Sequence, residues 1–206
     1  MKVIAAREQE FGKDSIQVAD ACTTLAIAYH DQGRPDKAVK LYFRVLAICE
    51  KLFDKEHFTL AAIYRSIASA YKDMAEYEKS LEWYFKALPI DEKNPVKNGE
   101  LLGNTYHDIG LDYCYLEEDE KALEWHLKSL SIFEKIWDKE SPEIVGLYCT
   151  IGIICCSAGK YAEALEWSQK ALAIREKTLG KSHPQTKIIY NDIEEIKECM
   201  REDESV

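Results

Sequence analysis

The sequence predicts an all-α protein built as an array of helix pairs, and two observations lead to this prediction. The chain of 206 residues repeats itself at a constant spacing of 42 residues, without insertion or deletion. Within each repeat the apolar residues recur three and four positions apart, as at Leu81, Tyr84, Phe85 and Leu88, which is the period of an amphipathic helix. A repeat of this length holds two helices, and stacked repeats bury a continuous core between neighbours.

The repeat is visible as columns of equivalent residues. A small residue occupies the same position of each first helix, 42 residues apart, at Ala26, Ala68, Gly110 and Gly152. The second helices carry a small column and a large apolar column, at Ala38, Ser80, Ala122 and Ala164, and at Leu41, Trp83, Trp125 and Trp167. Because the distance between packed helices depends on the side chains at their contact, we interpret these columns as packing positions and not as a site.

Short polar segments separate the predicted helices. Within the first repeat, Gly33 can supply a left-handed cap and Pro35 can open the next helix. Between repeats, residues 138–142 and 180–184 suit a helix end followed by a new N-cap. Pro89 is expected to kink or shorten the second helix of the second repeat, because proline removes a backbone donor and crowds the preceding turn.

The columns divide the chain into four helix pairs with flanking segments. The pairs are expected at residues 13–54, 55–96, 97–138 and 139–180. Residues 1–12 match the end of a second helix and are expected to belong to a preceding, truncated repeat, so that the chain is part of a longer array or has lost its first helix. Residues 181–206 are expected to form a polar capping helix within 185–201, followed by a disordered acidic tail at 201–206.

The composition narrows the class of protein. A chain with 47% hydrophobic and 31% charged residues has the balance of a folded globular protein. Its net charge of −10 argues against nucleic-acid or anionic-membrane binding, and no apolar stretch is long enough for a signal peptide or a membrane span. Seven cysteines without C-x-x-C spacing argue against a disulfide framework. We therefore expect a cytoplasmic protein without a cofactor.

Two motifs connect the repeat to a known family. The first helices carry a small residue and then Tyr, as at Ala26 and Tyr29, while the second helices carry Ala and then an aromatic residue, as at Ala38 and Tyr42. This pattern resembles the tetratricopeptide repeat over essentially the whole chain. The 42-residue length and the ending A-x-x-I-x-E-K-x-x-G-K-x-H-P, nearly complete at 171–184, are similar to the kinesin light chain-like members of that family.

The resemblance implies a fold and a general role. It implies a right-handed α-α superhelix whose first helices line a concave groove for an extended peptide or a partner helix, and it implies no catalytic residues. Fold alone does not name a ligand. The paired asparagines typical of the kinesin light chain-like pattern are mostly absent here, so the ligand of those relatives is not carried over.

The same columns predict which residues face the groove. The twelve candidates all lie on first helices: Thr23, Ile27, His30, Arg65, Ser69, Lys72, Asn104, His107, Leu111, Tyr115, Cys149 and Ile153. Their charge is expected to vary from acidic at the first repeat, through basic at Arg65, Lys72 and His107, to apolar at the fourth.

This charge distribution predicts the chemistry of the ligand. We expect a protein or peptide with an acidic residue over Arg65 and Lys72 and with apolar side chains over Leu111, Tyr115 and Ile153. Charges would then set specificity, while the apolar contacts would dominate affinity. An alternative is that the two cations only pair with neighbouring carboxylates, at Asp20, Asp31, Asp73 or Asp108.

Catalysis and metal binding are not favoured. Equivalent columns bring His107 beside Cys149 and Cys114 beside Cys156, which are suitable zinc ligands. The two pairs are about 10 Å apart along their helices, too far for one tetrahedral ion. We interpret these cysteines as packing residues, and we expect no enzyme because no better nucleophile or ligand set is present.

The other histidines are expected to be structural. His126 stands where equivalent repeats have Tyr42 and Tyr84, so it is predicted to lie in the core. His57 and His183 lie in turns before predicted helices, where each is expected to cap locally.

A second function class is self-association. The incomplete first repeat is expected to expose an apolar edge that includes Val3, Ile4 and Phe11. A second copy or a missing domain would cover such an edge. The alternative is therefore a self-associating structural or regulatory repeat domain of a larger protein, with a homodimer formed through the N-terminal edge.

Overall fold

The computed structural model describes residues 2–93 and 99–203. These residues form ten α-helices and no strand, which confirms the predicted all-α class. In chain order the helices are α1 (Lys2–Phe11), α2 (Ile16–Asp31), α3 (Pro35–Leu52), α4 (Phe58–Asp73), α5 (Tyr77–Glu92), α6 (Gly99–Tyr115), α7 (Asp119–Ile136), α8 (Pro142–Ser157), α9 (Tyr161–Leu179) and α10 (Pro184–Asp203).

The helices belong to two compact units. Unit 1 contains α1 to α5, and unit 2 contains α6 to α10. In unit 1, α2 packs on α3 and α4 on α5, with α3 and α4 joining the two pairs; α1 packs on α2. In unit 2, α6 packs on α7 and α8 on α9, while α10 packs on α9. The repeated pattern thus produces helix pairs, although the expected boundary at 96/97 lies outside the described residues.

The small residues of the first helices lie where the paired helix approaches closely. A Cβ atom on Gly110 would overlap the imidazole ring of His126, and one on Gly152 would lie 2.9 Å from Oγ of Ser168. Both contacts lie inside a helix pair, α6 with α7 and α8 with α9. The small column therefore sets how near the two helices of a pair can come.

Capping residues stand at the start of several helices, and two of these residues are histidines. Nδ1 of His57 accepts a hydrogen bond from the backbone N–H of Thr59 at 3.2 Å, at the start of α4. Nδ1 of His183 accepts one from the N–H of Gln185 at 3.3 Å, at the start of α10. These bonds satisfy backbone donors that have no partner within the helix. The predicted capping role of both histidines is confirmed.

Helix α5, which contains Pro89, is shorter than α3, α7 and α9 but does not end at the proline. Helix α5 continues past Pro89 to Glu92 and has 16 residues, whereas α3 and α7 have 18 and α9 has 19. Proline lacks one backbone donor, but the turns on either side of it are still helical. The expected shortening is confirmed.

The end of the chain differs from the sequence-based expectation. The prediction of disorder from Arg201 onward is wrong for residues 201–203, which form the last turn of α10. The guanidinium Nε of Arg201 donates to the carbonyl of Lys197 at 3.1 Å, and a cation is favourable at a helix C-terminus. Residues 204–206 of the expected tail lie outside the described residues.

His126 is a core residue, as the repeat columns predicted. It is fully buried, and its Nδ1–H donates to the carbonyl of Ala122 at 2.8 Å. Its ring lies edge-to-face against His107, with the ring centroids 5.1 Å apart. Burial lowers the pKa of His126 from the usual 6.5 to about 4, so the folded protein keeps this imidazole neutral.

The lowered pKa of His126 predicts that the protein loses stability in mild acid. The folded-state pKa is below the unfolded one, so the unfolded chain binds the proton more readily, and stability present above pH 6.5 is lost as the pH falls toward 4. The full loss would be about 3 kcal/mol, of which about 1 kcal/mol is lost by pH 5.5. Urea unfolding at pH 7.5 and 5.5 measures it. The free energy of unfolding of the His126→Phe variant should fall less between the two pH values than that of the wild type. An equal fall would contradict the lowered pKa of His126.

Candidate functional site

The twelve predicted groove residues all lie on first helices of the helix pairs, and none of them is buried. We define the unit-1 surface as the six candidates on α2 and α4: Thr23, Ile27, His30, Arg65, Ser69 and Lys72. We define the unit-2 surface as the six on α6 and α8: Asn104, His107, Leu111, Tyr115, Cys149 and Ile153. Each surface has its own chemistry.

On the unit-1 surface, Arg65 forms an ion pair inside its own helix pair. Its Nη1 donates to both carboxylate oxygens of Asp91, at 2.6 and 2.5 Å. Asp91 lies on α5 and is buried, and only 16% of the Arg65 side chain is exposed. The guanidinium charge is therefore already neutralised within the fold.

The sequence-based choice of partners for Arg65 was wrong, because Asp91 was not among the carboxylates considered. The repeat columns give only a weak signal for this pair. Asp91 occupies the position of Cys49 in α3 and Phe133 in α7, both buried and apolar, but also that of the charged Arg175 in α9. Its need for a nearby cation follows from its burial, since an isolated buried charge is costly.

The other side chains of the unit-1 surface are mainly polar, and some of them already form hydrogen bonds within the protein. Nε2 of His30 on α2 lies 2.5 Å from a carboxylate oxygen of Asp73 on α4, which links the ends of two first helices. The hydroxyl of Thr23 donates to the carbonyl of Ala19 at 3.0 Å, within its own helix. Ile27 is the exposed apolar side chain of this set.

The unit-2 surface presents exposed apolar side chains. Tyr115 on α6 and Ile153 on α8 are 61% and 60% exposed. Leu111 is half-buried, and His107 contacts the buried ring of His126. Large apolar groups that remain open to solvent on neighbouring first helices are potential contact points for another polypeptide.

A cleft of about 160 Å³ adjoins Ile153 in unit 2. It lies between α8, α9 and α10, and its lining residues are Cys149, Ile153, Cys156, Ser157, Ser168, Ile189, Asp192, Glu195 and Ile196. The sequence predicts α10 only as a polar cap, but this helix also forms one wall of the cleft. The isoleucine spacing at 189, 193 and 196 marked the apolar face of α10 that packs on its unit.

The wall formed by α10 is negatively charged. Burial, followed by the nearby charge of Glu195, raises the pKa of the Asp192 carboxyl above its usual range. Both effects mean that the ionised form of Asp192 lacks stabilisation in the free protein. A cation placed at this wall would supply it.

The thiols of unit 2 are poorly suited to chemistry. All seven cysteines of the chain are free, and burial raises the pKa of Cys114 to about 11 and also raises that of Cys149. A thiol that stays protonated at neutral pH is a weak nucleophile. Over residues 2–93 and 99–203, no three His, Cys, Asp or Glu side chains are placed to hold a metal ion. Within that same part of the chain, no helix is long and apolar enough to span a bilayer.

The repeat family follows from sequence comparison. The family model for the tetratricopeptide repeat matches residues 20–93, 59–135 and 143–205. These ranges cover most of the chain, which therefore belongs to the tetratricopeptide repeat family. No curated protein matches this sequence.

Solved structures with the same fold include kinesin light chain-like proteins. A Podosopora anserina protein with nearly identical TPR-like repeats of the kinesin light chain type is 21% identical, with a TM-score of 0.76 over 90% of this chain and 88% of that one. BtubC (BKLC) from P. vanneervenii is 20% identical, with a TM-score of 0.74 over 97% and 80%. The apo form of RapI is 22% identical, with a TM-score of 0.70 over 92% and 72%. At these identities the likenesses show a shared fold.

Proposed function

We propose that this chain binds a polypeptide segment through the unit-2 surface and acts as a scaffold. The observation that carries the proposal is the exposed Ile153 at the rim of the cleft between α8 and α10. Tyr115 provides a second exposed apolar contact on the neighbouring first helix. Tetratricopeptide repeat domains generally bind proteins or peptides, which agrees with this use of first helices.

The cleft suggests the chemistry of the bound segment. Its volume of about 160 Å³ suits one aliphatic side chain, which would contact Ile153 and Ile196. A lysine or arginine next to that side chain would lie at Asp192 and Glu195, where it would stabilise the half-buried carboxylate. The aliphatic contact would contribute most of the affinity, and the charge would select among ligands.

The acidic ligand residue expected over Arg65 and Lys72 now has weaker support. Asp91 neutralises the guanidinium of Arg65, so an incoming carboxylate would have to compete with a buried partner. We therefore place the main binding contacts on unit 2.

A scaffold role is favoured over catalysis by the state of the candidate nucleophiles. Burial keeps the thiols of Cys114 and Cys149 protonated at neutral pH, which makes them weak nucleophiles. A reducing, cytoplasmic setting, which would keep all seven cysteines as thiols, is part of the same proposal.

The proposal predicts that Ile153→Glu weakens peptide binding by about tenfold or more, because it removes the apolar contact and places a charged group where the aliphatic side chain of the ligand would pack. Peptides selected from a random display library against the wild-type chain would serve as probes. Their affinities would be measured by fluorescence anisotropy.

Leu127→Glu is the matched control, because Leu127 is an exposed apolar residue of the same unit on the second helix α7. It should bind the selected peptides like the wild type. Repeating the selection with Asp192→Asn/Glu195→Gln should reduce the share of peptides with lysine or arginine. Equal affinity for Ile153→Glu, or a library that yields no binder, would contradict the proposed function.

A further inference from the structure

Unit 1 has an open apolar groove of about 490 Å³ at its α1 edge. Val3, Ile4 and Arg7 of α1 form one wall, and residues of α2, among them Asp20, Leu25 and Ala28, form the other. Val3 is 65% exposed. We call this groove and its walls the α1–α2 edge.

The internal repeat shows that these positions are normally covered. Ala21, Leu25 and Ala28 of α2 are only half-buried. The equivalent residues of α4, α8 and α10 are all buried: Ile63, Ile67 and Ala70; Leu147, Ile151 and Ile154; Ile189, Ile193 and Ile196. Each of those three helices follows a complete helix pair, whereas α2 follows α1 alone among the described residues. The open groove is thus the place where a further helix would pack.

One potential occupant is α10 of another copy, in a head-to-tail stack. Helix α10 corresponds to a first helix, so α1 of the next copy would have to pack against it as a second helix. Glu194 of α10 occupies the small column held by Ala26 and Gly152, and it pairs with Lys197 at 2.8 Å. In the complete pairs this column meets His126 of α7 and Ser168 of α9, whose equivalent does not lie in α1, so α1 of the next copy would make only part of the contacts of a helix pair and the head-to-tail arrangement is disfavoured.

We propose instead that the α1–α2 edge binds the same edge of a second copy through a two-fold axis. Such a contact is self-complementary, because every contact between two different residues occurs twice, once in each direction across the axis. Arg7 and Asp20 line the same groove and carry opposite charges, so the two-fold axis can bring Arg7 of each copy to Asp20 of the other.

Side-chain size supports the same arrangement. The small residues Ala21, Thr24 and Ala28 allow the two α2 helices to come close, while Val3 and Leu25 supply apolar contact area. The half-buried column of α2 would then be covered by a helix, as it is in α4.

Sedimentation velocity of the 206-residue chain over a wide range of concentrations tests the proposal. The wild type should form dimers at micromolar concentrations, and Val3→Glu should raise the dimer dissociation constant by about tenfold or more. Phe58→Glu is the matched control, because Phe58 is 69% exposed in the same unit but does not line the groove. It should dimerise like the wild type.

A charge exchange tests the two-fold contact itself. Arg7→Asp and Asp20→Arg should each weaken the dimer, because each single change leaves two like charges together, and the double exchange should restore it. A wild type that is monomeric throughout, a Val3→Glu variant that dimerises like the wild type, or a double exchange that does not recover would each overturn the proposal. Peptide binding at the unit-2 surface should be unchanged in Val3→Glu, so the two proposals fail separately.

Discussion

Arg65→Ala should destabilise the fold by about 3 kcal/mol, because it leaves the buried carboxylate of Asp91 without its guanidinium. An uncompensated buried charge costs more than the ion pair itself contributes. Urea unfolding followed by circular dichroism measures the change. Asp91→Ala should cost less, because the partly exposed Arg65 can turn toward water.

Two variants separate this effect from a general loss of side-chain contacts. Arg65→Leu/Asp91→Leu should recover most of the stability, because two apolar groups replace both charges. Arg44→Ala removes an ion pair with Glu8 in which both side chains are considerably more exposed, and it should cost less than about 1 kcal/mol. Equal costs for Arg65→Ala and Arg44→Ala would show that the buried carboxylate of Asp91 does not depend on the guanidinium of Arg65.

Gly110→Ala should destabilise the α6–α7 pair by about 2 kcal/mol, because the added methyl group would overlap the ring of His126. The ring has little freedom to move, since it is fully buried and hydrogen-bonded to the carbonyl of Ala122. The melting temperature and the urea midpoint would both fall. The intrinsic preference of alanine for helices offsets only part of this cost.

Gly146→Ala is the control for helix propensity. Gly146 lies in α8, and an added Cβ there would meet nothing within 4 Å, so this change should stabilise the protein by about 0.5–1 kcal/mol. In the double variant Gly110→Ala/His126→Ala, the glycine substitution should cost much less than it does alone, because the clashing ring is absent. If Gly110→Ala behaved like Gly146→Ala, the close approach of the two helices would be contradicted.

Both predictions affect the choice of variants for binding experiments. Arg65 was expected to contact the ligand, but its replacement changes stability, so a loss of binding in an Arg65 variant would have two explanations. Ile153 and Val3 are exposed, and their replacement leaves the core unchanged. They therefore report on binding and on self-association more directly.

The sequence by itself determined the all-α class and the helix pairs. These features depend on the spacing of apolar residues along the chain and on the 42-residue columns, which are local and repeated four times. The same columns correctly assigned the buried His126, because equivalent positions in a repeat have equivalent surroundings, and the place of His57 and His183 in turns before helices correctly assigned their capping role. They also placed all twelve candidate groove residues on first helices with some exposure.

Only the tertiary structure decided how individual side chains pair and where the open surfaces lie. The Arg65–Asp91 pair joins residues 26 positions apart on two helices, and its geometry depends on the distance and rotation between α4 and α5. The cleft beside Ile153 and the groove beside Val3 depend on which helix covers each face, and a repeated pattern is the same whether that face is covered or open. Helix periodicity is a property of one segment, whereas pairing and coverage are properties of neighbouring segments in space.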